Sequence, residues 1–201
     1  MPIRCLMVDV DGVVVAHPEG LRWDRDLAAD LGVDPDRLQQ AFFRAHFADI
    51  VLGRADLHER LAPVLAEIAP HVTSQAFADY WFAKDAHLDE ALLAALAIRR
   101  SQGLALHLAT VQEHHRARHL WETMQLSDRF DAIHYAAAYG AKKPEPAFFQ
   151  AVAGRTGYAP DELLLIDDSP ANVAGAKACG WHAALWDGSR SLDAVLADHG
   201  L

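Results

Sequence analysis

Two carboxylates separated by one residue, Asp9 and Asp11, follow an apolar segment near the start of the chain. Residues 5–8 have the apolar, partly β-branched character of a buried strand, and Gly12 and several valines follow the carboxylates. Ligands of an open parallel sheet bind beyond the carboxyl ends of its strands. Asp9 and Asp11 are therefore the first candidates for a functional site.

Polar side chains also follow other predicted strands. Thr110 comes directly after a strand predicted over 104–109, and Asp167 and Asp168 come after a strand predicted over 163–166. Between them, Lys142 and Lys143 precede a predicted helix. Because the carboxyl ends of parallel strands meet at one edge of a sheet, we expect an anionic pocket that also holds one threonine and one or two lysines.

The chemistry of such a pocket follows from its charge. Four carboxylates within a few ångströms repel one another, so either their pKa values rise or a hard cation neutralises them, and we expect Mg²⁺. A lysine ammonium and a threonine hydroxyl can then hold the oxygens of a phosphoryl group. One carboxylate can attack phosphorus, while its neighbour two residues away donates a proton to the leaving oxygen and later takes one from water.

The elements that position these residues alternate between strand and helix after residue 88. Further strands are predicted over 132–135 and 182–186, and helices over 89–102, 112–125, 145–156, 171–179 and 191–199. The basic residues of the 112–125 helix are expected mostly at the surface. Alternation of this kind implies parallel strands with right-handed crossovers, so the predicted fold is α/β, a doubly wound, Rossmann-like parallel sheet.

Residues 23–86 interrupt this alternation, since they show helical periodicity only. Asp34-Pro35 has the pattern of an N-cap followed by proline in the first helical turn, and Thr73 or Ser74 is expected to cap a later helix. The predicted organisation is a core domain of residues 1–16 and 87–201 with an inserted helical domain of residues 17–86.

Composition excludes several classes of function. With 18 basic and 28 acidic residues the formal net charge is −10, which gives no basic field for nucleic acid or anionic lipid. Cys5 and Cys179 lie far apart and lack the spacing of a zinc site or a disulfide framework. The apolar segments are too short to span a bilayer, and Asp9 interrupts the first one too early for a signal peptide. We expect a cytoplasmic protein whose partner is a small phosphorylated metabolite, with no nucleic-acid or membrane partner.

Four short motifs occur in order along the chain, each at an expected strand end or helix start. They are Asp9-Val10-Asp11-Gly12, Thr110, Lys143-Pro144 and Asp167-Asp168-Ser169. In this order they resemble the motifs of the haloacid dehalogenase-like hydrolase superfamily, specifically its phosphatases with a helical cap inserted after the first strand. The resemblance covers most of the chain.

The resemblance implies a role for each motif residue. Asp9 would be the nucleophile that becomes an aspartyl-phosphate, and Asp11 the general acid and base. Thr110 and Lys143 would hold the phosphoryl group. Mg²⁺ would be bound by the Asp9 carboxylate, the Asp11 backbone carbonyl and Asp168, with Asp167 beside the ion or bound through water.

Residues 166–173 further resemble the form of the fourth motif found in bacterial sugar-phosphate phosphatases and in the phosphatase domain of epoxide hydrolases. A sugar phosphate is the first candidate substrate. Two positions depart from the family pattern. Val111 stands where members often have asparagine and cannot form a side-chain hydrogen bond, so Gln112 is a candidate to replace it. Asn172 stands where many relatives carry another aspartate, which lowers the negative charge near the metal.

Several alternatives remain open at this point. A phosphomutase acting on sugar phosphates would carry the same motifs, and so would a non-catalytic regulatory protein that binds phosphate or metal. A calcium loop is disfavoured because Val13, Val14 and Val15 stand where oxygen ligands would be needed. His17 and Arg54 are weaker candidates for residues that face the pocket.

Overall fold

The computed structural model describes residues 2–16 and 22–201, and over these residues the chain forms a five-stranded parallel sheet. The strands are β1 (Cys5–Val8), β2 (Ala105–Thr110), β3 (Ala132–Tyr135), β4 (Leu163–Asp167) and β5 (His182–Leu185). Their spatial order is β3-β2-β1-β4-β5. The predicted α/β fold is therefore confirmed, and strands β2 to β5 start and end within one residue of their predicted bounds.

The helices surround this sheet and also form a separate block. They are α1 (Leu27–Leu31), α2 (Pro35–Leu38), α3 (Arg44–Ile50), α4 (Leu57–Ile68), α5 (Ser74–Lys84), α6 (Glu90–Ser101), α7 (His114–Arg118), α8 (Ala136–Tyr139), α9 (Pro146–Thr156), α10 (Pro170–Ala178) and α11 (Leu192–Ala197). Two π-helical segments, Gln39–Phe43 and His119–Thr123, join α2 to α3 and extend α7. The four-residue helix α8 was not predicted from the sequence.

Strand β1 lies at the centre of the sheet because all four of its residues are apolar and fully buried. Leu6 and Val8 point to one face, where they join a core that includes residues of α6 and α11. Cys5 and Met7 point to the other face and pack with residues of α9 and α10. Helices thus cover both faces, as the doubly wound arrangement requires.

The helical block from α1 to α5 has an apolar core of its own, which includes Leu27, Phe42, Phe77 and Trp81. Its helix starts follow the sequence signals. The Asp34 side chain accepts hydrogen bonds at the start of α2, directly before Pro35, as predicted. The Thr73 hydroxyl does the same for α5, and Asp56 does so for α4. The division into a core and an inserted domain remains a prediction, and residues 17–21, including His17, lie outside the described part of the chain.

The two segments that join the block to the sheet run side by side. The Ala16 amide donates to the His87 carbonyl at 2.8 Å, and the Asp89 amide donates to the Val14 carbonyl at 2.9 Å. Val15 and Leu88 form an antiparallel bridge between these bonds. Both connections therefore leave the sheet next to the loop that carries Asp9 and Asp11.

Arg116 is an exception to the expectation that the basic residues of the 112–125 helix lie mostly at the surface. Its side chain is buried, and its guanidinium donates to the backbone carbonyls of Phe82 and Asp85 at the end of α5. It also lies over the Phe82 ring, 5.4 Å from the centroid. A helix end leaves carbonyl groups without intrahelical partners, so a cation is favourable there even when it is buried.

A membrane-spanning helix needs about 20 apolar residues, and none of the helices within residues 2–16 and 22–201 has that length and character.

A buried polar cluster lies beside β2 and β3. His134 is 4% exposed, and its Nδ1 lies 2.7 Å from the Tyr139 hydroxyl. Its Nε2 lies 3.1 Å from Nδ1 of His107. Burial, with a smaller contribution from the neighbouring His107, lowers the pKa of His134 to about 4. Burial also lowers the pKa of His107, so the fold favours the neutral form of both rings.

We expect this cluster to lower the stability of the fold in acid. The pKa of His134 is 6.5 in the unfolded chain and about 4 in the fold. As the pH falls through this range, His134 therefore takes up a proton in the unfolded chain before it does so in the folded one. The free energy of unfolding decreases as a result. We expect the wild type to lose roughly 1–3 kcal/mol more between pH 7 and pH 4 than the variant His134→Gln. Urea unfolding at a series of pH values measures this difference.

The matched control is His87→Gln, which changes an exposed histidine and should keep the pH dependence of the wild type. Identical pH dependence in the wild type and His134→Gln would contradict the prediction.

Candidate active site

Asp9 directly follows β1 and lies at the carboxyl edge of the sheet. Its amide donates to the Ile166 carbonyl at 2.9 Å, so the chain stays paired with β4 one residue past the strand. Val10 then begins a tight loop, since its carbonyl accepts from the amides of Val13 at 3.2 Å and Val15 at 2.7 Å. Asp9 is 7% exposed, and its carboxylate accepts a hydrogen bond from the Val10 amide at 2.7 Å. This loop fixes the backbone of Asp9 and Asp11.

Gly12 allows the fourth motif to approach this loop. Its φ is +79°, a conformation that residues with a Cβ rarely adopt. A Cβ built at Gly12 would overlap the Asp168 carboxylate. Glycine is therefore needed both for the backbone conformation and for the position of Asp168.

Lys143 is the buried cation of the site. Its Nζ lies 2.9 Å from Oδ1 of Asp9 and 2.5 Å from Oδ2 of Asp167, and its side chain is fully buried. Asp167 also accepts hydrogen bonds at 2.9 Å from the Ser169 amide and from the Asn172 side chain. Asn172 thus donates to Asp167, where an aspartate at the same position would repel it.

The site carries more negative than positive charge. Burial raises the pKa of Asp9, the Lys143 ammonium opposes that rise, and the Asp167 and Asp11 carboxylates add to it. Burial and the neighbouring Asp167 raise the pKa of Asp168. A divalent cation would stabilise the ionised form of these carboxylates.

The residues present fit Mg²⁺. Asp9, Asp167 and Asp168 each offer a carboxylate oxygen, and these oxygens lie within 4.8 Å of one another. Carboxylate oxygens are the ligands that Mg²⁺ prefers. The Asp11 carboxylate lies outside this group and faces Gln112. The contribution predicted for Asp11 to the metal site is its backbone carbonyl.

Thr110 and Gln112 complete the site from β2. Thr110 is the last residue of β2 and is 1% exposed. The Gln112 side-chain amide lies 3.5 Å from the Thr110 hydroxyl and donates to Oδ2 of Asp11 at 2.6 Å. Sequence reasoning named Gln112 as a replacement for a substrate contact but missed its bond to Asp11. The sequence signal for a hydrogen bond from Gln112 was its polar side chain directly after Val111, whose side chain cannot donate one.

The helical block contacts the core next to this site. A Cβ at Gly53, whose φ is +70°, would lie 2.5 Å from the Ala137 carbonyl oxygen and 3.1 Å from the His114 ring. The His115 ring nitrogen Nε2 lies 2.8 Å from the Asp56 carboxylate. The block thus rests on α8 and on the first turn of α7, which follows Gln112.

Arg54, a weaker candidate from the sequence, has a largely exposed side chain. It lies 3.7 Å from the carboxylate of Asp49 in the same helical block. This geometry is that of a surface ion pair, which the sequence also allowed.

Comparisons with known proteins identify relatives of this chain. A model of the haloacid dehalogenase-like hydrolases matches residues 3–180. A phosphoglycolate phosphatase of Rhodospirillum rubrum is 36% identical over an alignment of 140 residues that covers 67% of this chain and 54% of that protein. This chain therefore spans about half the length of that relative. Hexitol phosphatase B of Escherichia coli K12 is 27% identical over an alignment of 187 residues that covers 88% of this chain and 80% of that protein.

Solved structures show the same fold. A HAD family enzyme of Bacteroides thetaiotaomicron, in complex with magnesium and inorganic phosphate, superposes with a TM-score of 0.77 at 18% identity. The match covers 96% of this chain and 98% of that one. The likeness extends over the helical block as well as the sheet, since it includes nearly the whole chain.

The position of Gly12 yields a test of the metal site. We expect Gly12→Ala to displace Asp168 and to weaken Mg²⁺ binding by roughly 10-fold or more, because a Cβ and the Asp168 carboxylate cannot occupy the same space. Isothermal titration calorimetry with Mg²⁺ measures the affinity. The control is Gly154→Ala on α9, where a Cβ meets nothing within 4 Å. A folded Gly12→Ala protein with wild-type affinity would contradict this assignment.

Proposed function

This chain belongs to the haloacid dehalogenase-like hydrolases, and on that premise we propose that it is a Mg²⁺-dependent phosphatase of a small metabolite. A sugar phosphate is the first candidate substrate. The observation that carries the proposal is the buried ammonium of Lys143 between Asp9 and Asp167, with Asp168 beside them. Such an array combines a nucleophile, a fixed positive charge and a cation site.

The proposed reaction has two steps. In the first, a carboxylate oxygen of Asp9 forms a bond to phosphorus, the ester oxygen leaves, and Asp11 donates a proton to that oxygen. In the second, water attacks the aspartyl-phosphate and gives a proton back to Asp11, so that phosphate leaves and the Asp9 carboxylate is regenerated. Each step is a phosphoryl transfer in which positioning and charge provide most of the acceleration.

The remaining polar residues have supporting roles. Lys143 would hold phosphoryl oxygens next to Asp9, and the Thr110 hydroxyl would donate a hydrogen bond to another of them. Asp167 holds Lys143 in position through the 2.5 Å contact. Asp9, the Asp11 backbone carbonyl and Asp168 would hold Mg²⁺, with Asp167 beside it. When bound, the ion supplies positive charge that lowers the repulsion between these carboxylates and a phosphate dianion.

We propose that the helical block is the cap of this site. It contacts the core through Gly53 and through the Asp56–His115 pair, next to the residues that follow Thr110. A cap at this position excludes water and contributes to substrate selection. The relatives from Rhodospirillum rubrum and Escherichia coli are named for phosphatases of phosphoglycolate and hexitols, which supports a small phosphate monoester as substrate.

The nucleophile is tested by Asp9→Asn. We expect turnover of p-nitrophenyl phosphate to fall by more than about a thousandfold, because a carboxamide cannot form the acyl phosphate. Removal of Mg²⁺ with a chelator should abolish wild-type turnover, and added Mg²⁺ should restore it. The control is Asp36→Asn, an exposed position on α2. Wild-type turnover in Asp9→Asn would show that the nucleophile is wrongly assigned.

Asp11→Asn separates proton transfer from metal binding. The Asp11 carboxylate lies outside the group of oxygens that fits Mg²⁺, so Mg²⁺ affinity measured by calorimetry should change little. Turnover should fall by about a hundredfold or more because the leaving oxygen and the attacking water both lose their proton carrier. Equal loss of metal affinity and turnover would assign the Asp11 carboxylate to the metal instead.

A further inference from the structure

We infer that Gln112 is a positioning residue that holds the Asp11 carboxylate in the orientation needed for proton transfer. The inference rests on the proposed function, in which Asp11 is the acid and base. The observation behind it is the 2.6 Å hydrogen bond from the Gln112 side-chain amide to Oδ2 of Asp11. The two residues are 101 positions apart in the chain, so this bond depends on the tertiary fold.

Both ends of this hydrogen bond are attached to fixed backbone. The Asp11 main chain lies in the loop closed by Val10 and Val15, and Asp11 and Val15 form a β-bridge. On the other side, the Gln112 carbonyl accepts the Ala137 amide at 3.1 Å, which ties Gln112 to α8. Gln112 is 7% exposed, so its side chain has little room to turn towards solvent. A bond between two fixed backbones restricts the side-chain torsions of Asp11.

Charge explains why Asp11 benefits from such a partner. Asp9, Asp167 and Asp168 lie in the same site, and their negative charges favour orientations of Asp11 that point away from them. The hydrogen bond from the Gln112 amide fixes one orientation among these. A neutral amide does so without adding positive charge beside a cation site, whereas lysine or arginine would compete with the cation.

Gln112 also lies close to Thr110, one of the residues predicted to hold the phosphoryl group. Its side-chain amide lies 3.5 Å from the Thr110 hydroxyl. Val111, between Thr110 and Gln112, has no polar side-chain atom. One amide therefore contacts both the proton carrier from the β1 loop and the hydroxyl at the end of β2.

The experiment compares Gln112→Met with the wild type on phosphate monoesters of increasing leaving-group basicity, at saturating Mg²⁺. Methionine has a similar length but cannot donate a hydrogen bond. The p-nitrophenolate group leaves without needing a proton, so the kcat/KM of Gln112→Met for p-nitrophenyl phosphate should be less than about 5-fold below that of the wild type. For an alkyl phosphate, whose leaving oxygen needs a proton, kcat/KM should fall roughly 30- to 100-fold. Asp11→Asn should show the same trend more strongly. Gln150→Met, at an exposed position on α9, is the matched control and should behave as the wild type.

A loss that is equal for all leaving groups, or the absence of any loss, would overturn the inference. Loss of thermal stability alone does not produce a dependence on leaving group, so a purely structural role of Gln112 is distinguished from positioning. If the wild type hydrolyses none of these esters, the proposed function fails. Crystal structures of the wild type and Gln112→Met then decide the inference: a rotated Asp11 carboxylate in the variant supports it, and an unchanged one overturns it.

Discussion

The buried ammonium of Lys143, in contact with the Asp9 and Asp167 carboxylates, is the interaction on which the rest of the site depends. Removing an ionised group from water carries a penalty of several kcal/mol, and a buried pair offsets it only when its geometry is close and its other polar atoms are satisfied. Here the Ser169 amide and the Asn172 side chain donate hydrogen bonds to the Asp167 carboxylate. The surplus of carboxylates over this one lysine then makes a divalent cation favourable at Asp9 and Asp168.

The register of the sheet brings these charges together. Val8 of β1 pairs with Ile166 of β4 on one side and with Leu108 of β2 on the other. Asp9, which follows Val8, therefore lies beside the end of β4. Thr110 comes two residues after Leu108 and so lies at the same edge of the sheet. The strand order changes direction at β1, since β2 and β3 lie on one side and β4 and β5 on the other. Crevices at such a point are where open α/β sheets bind ligands.

The segment after β2 connects this chemistry to the helical block. Within a few residues, Gln112 bonds to Asp11, His115 pairs with Asp56 of the block, and Arg116 binds the carbonyls at the end of α5. The orientation of Asp11 and the position of the block therefore depend on the same short stretch of backbone. The block also rests directly on the core at Gly53, where there is no room for a side chain.

The sequence by itself determined the features that depend on local pattern. Alternating apolar strands and helices predicted the α/β sheet, the caps at Asp34 and Thr73 followed from side chains next to their own helices, and the motif residues followed from their types and their places at strand ends. Only the tertiary structure decided which polar groups meet: Lys143 with Asp167, Gln112 with Asp11, Arg116 with the end of α5. The physical reason is that the periodicity of apolar residues indicates the secondary structure and the side of an element on which a residue lies. The partner of a buried polar side chain is instead set by strand register and helix packing, which bring together residues far apart in the chain.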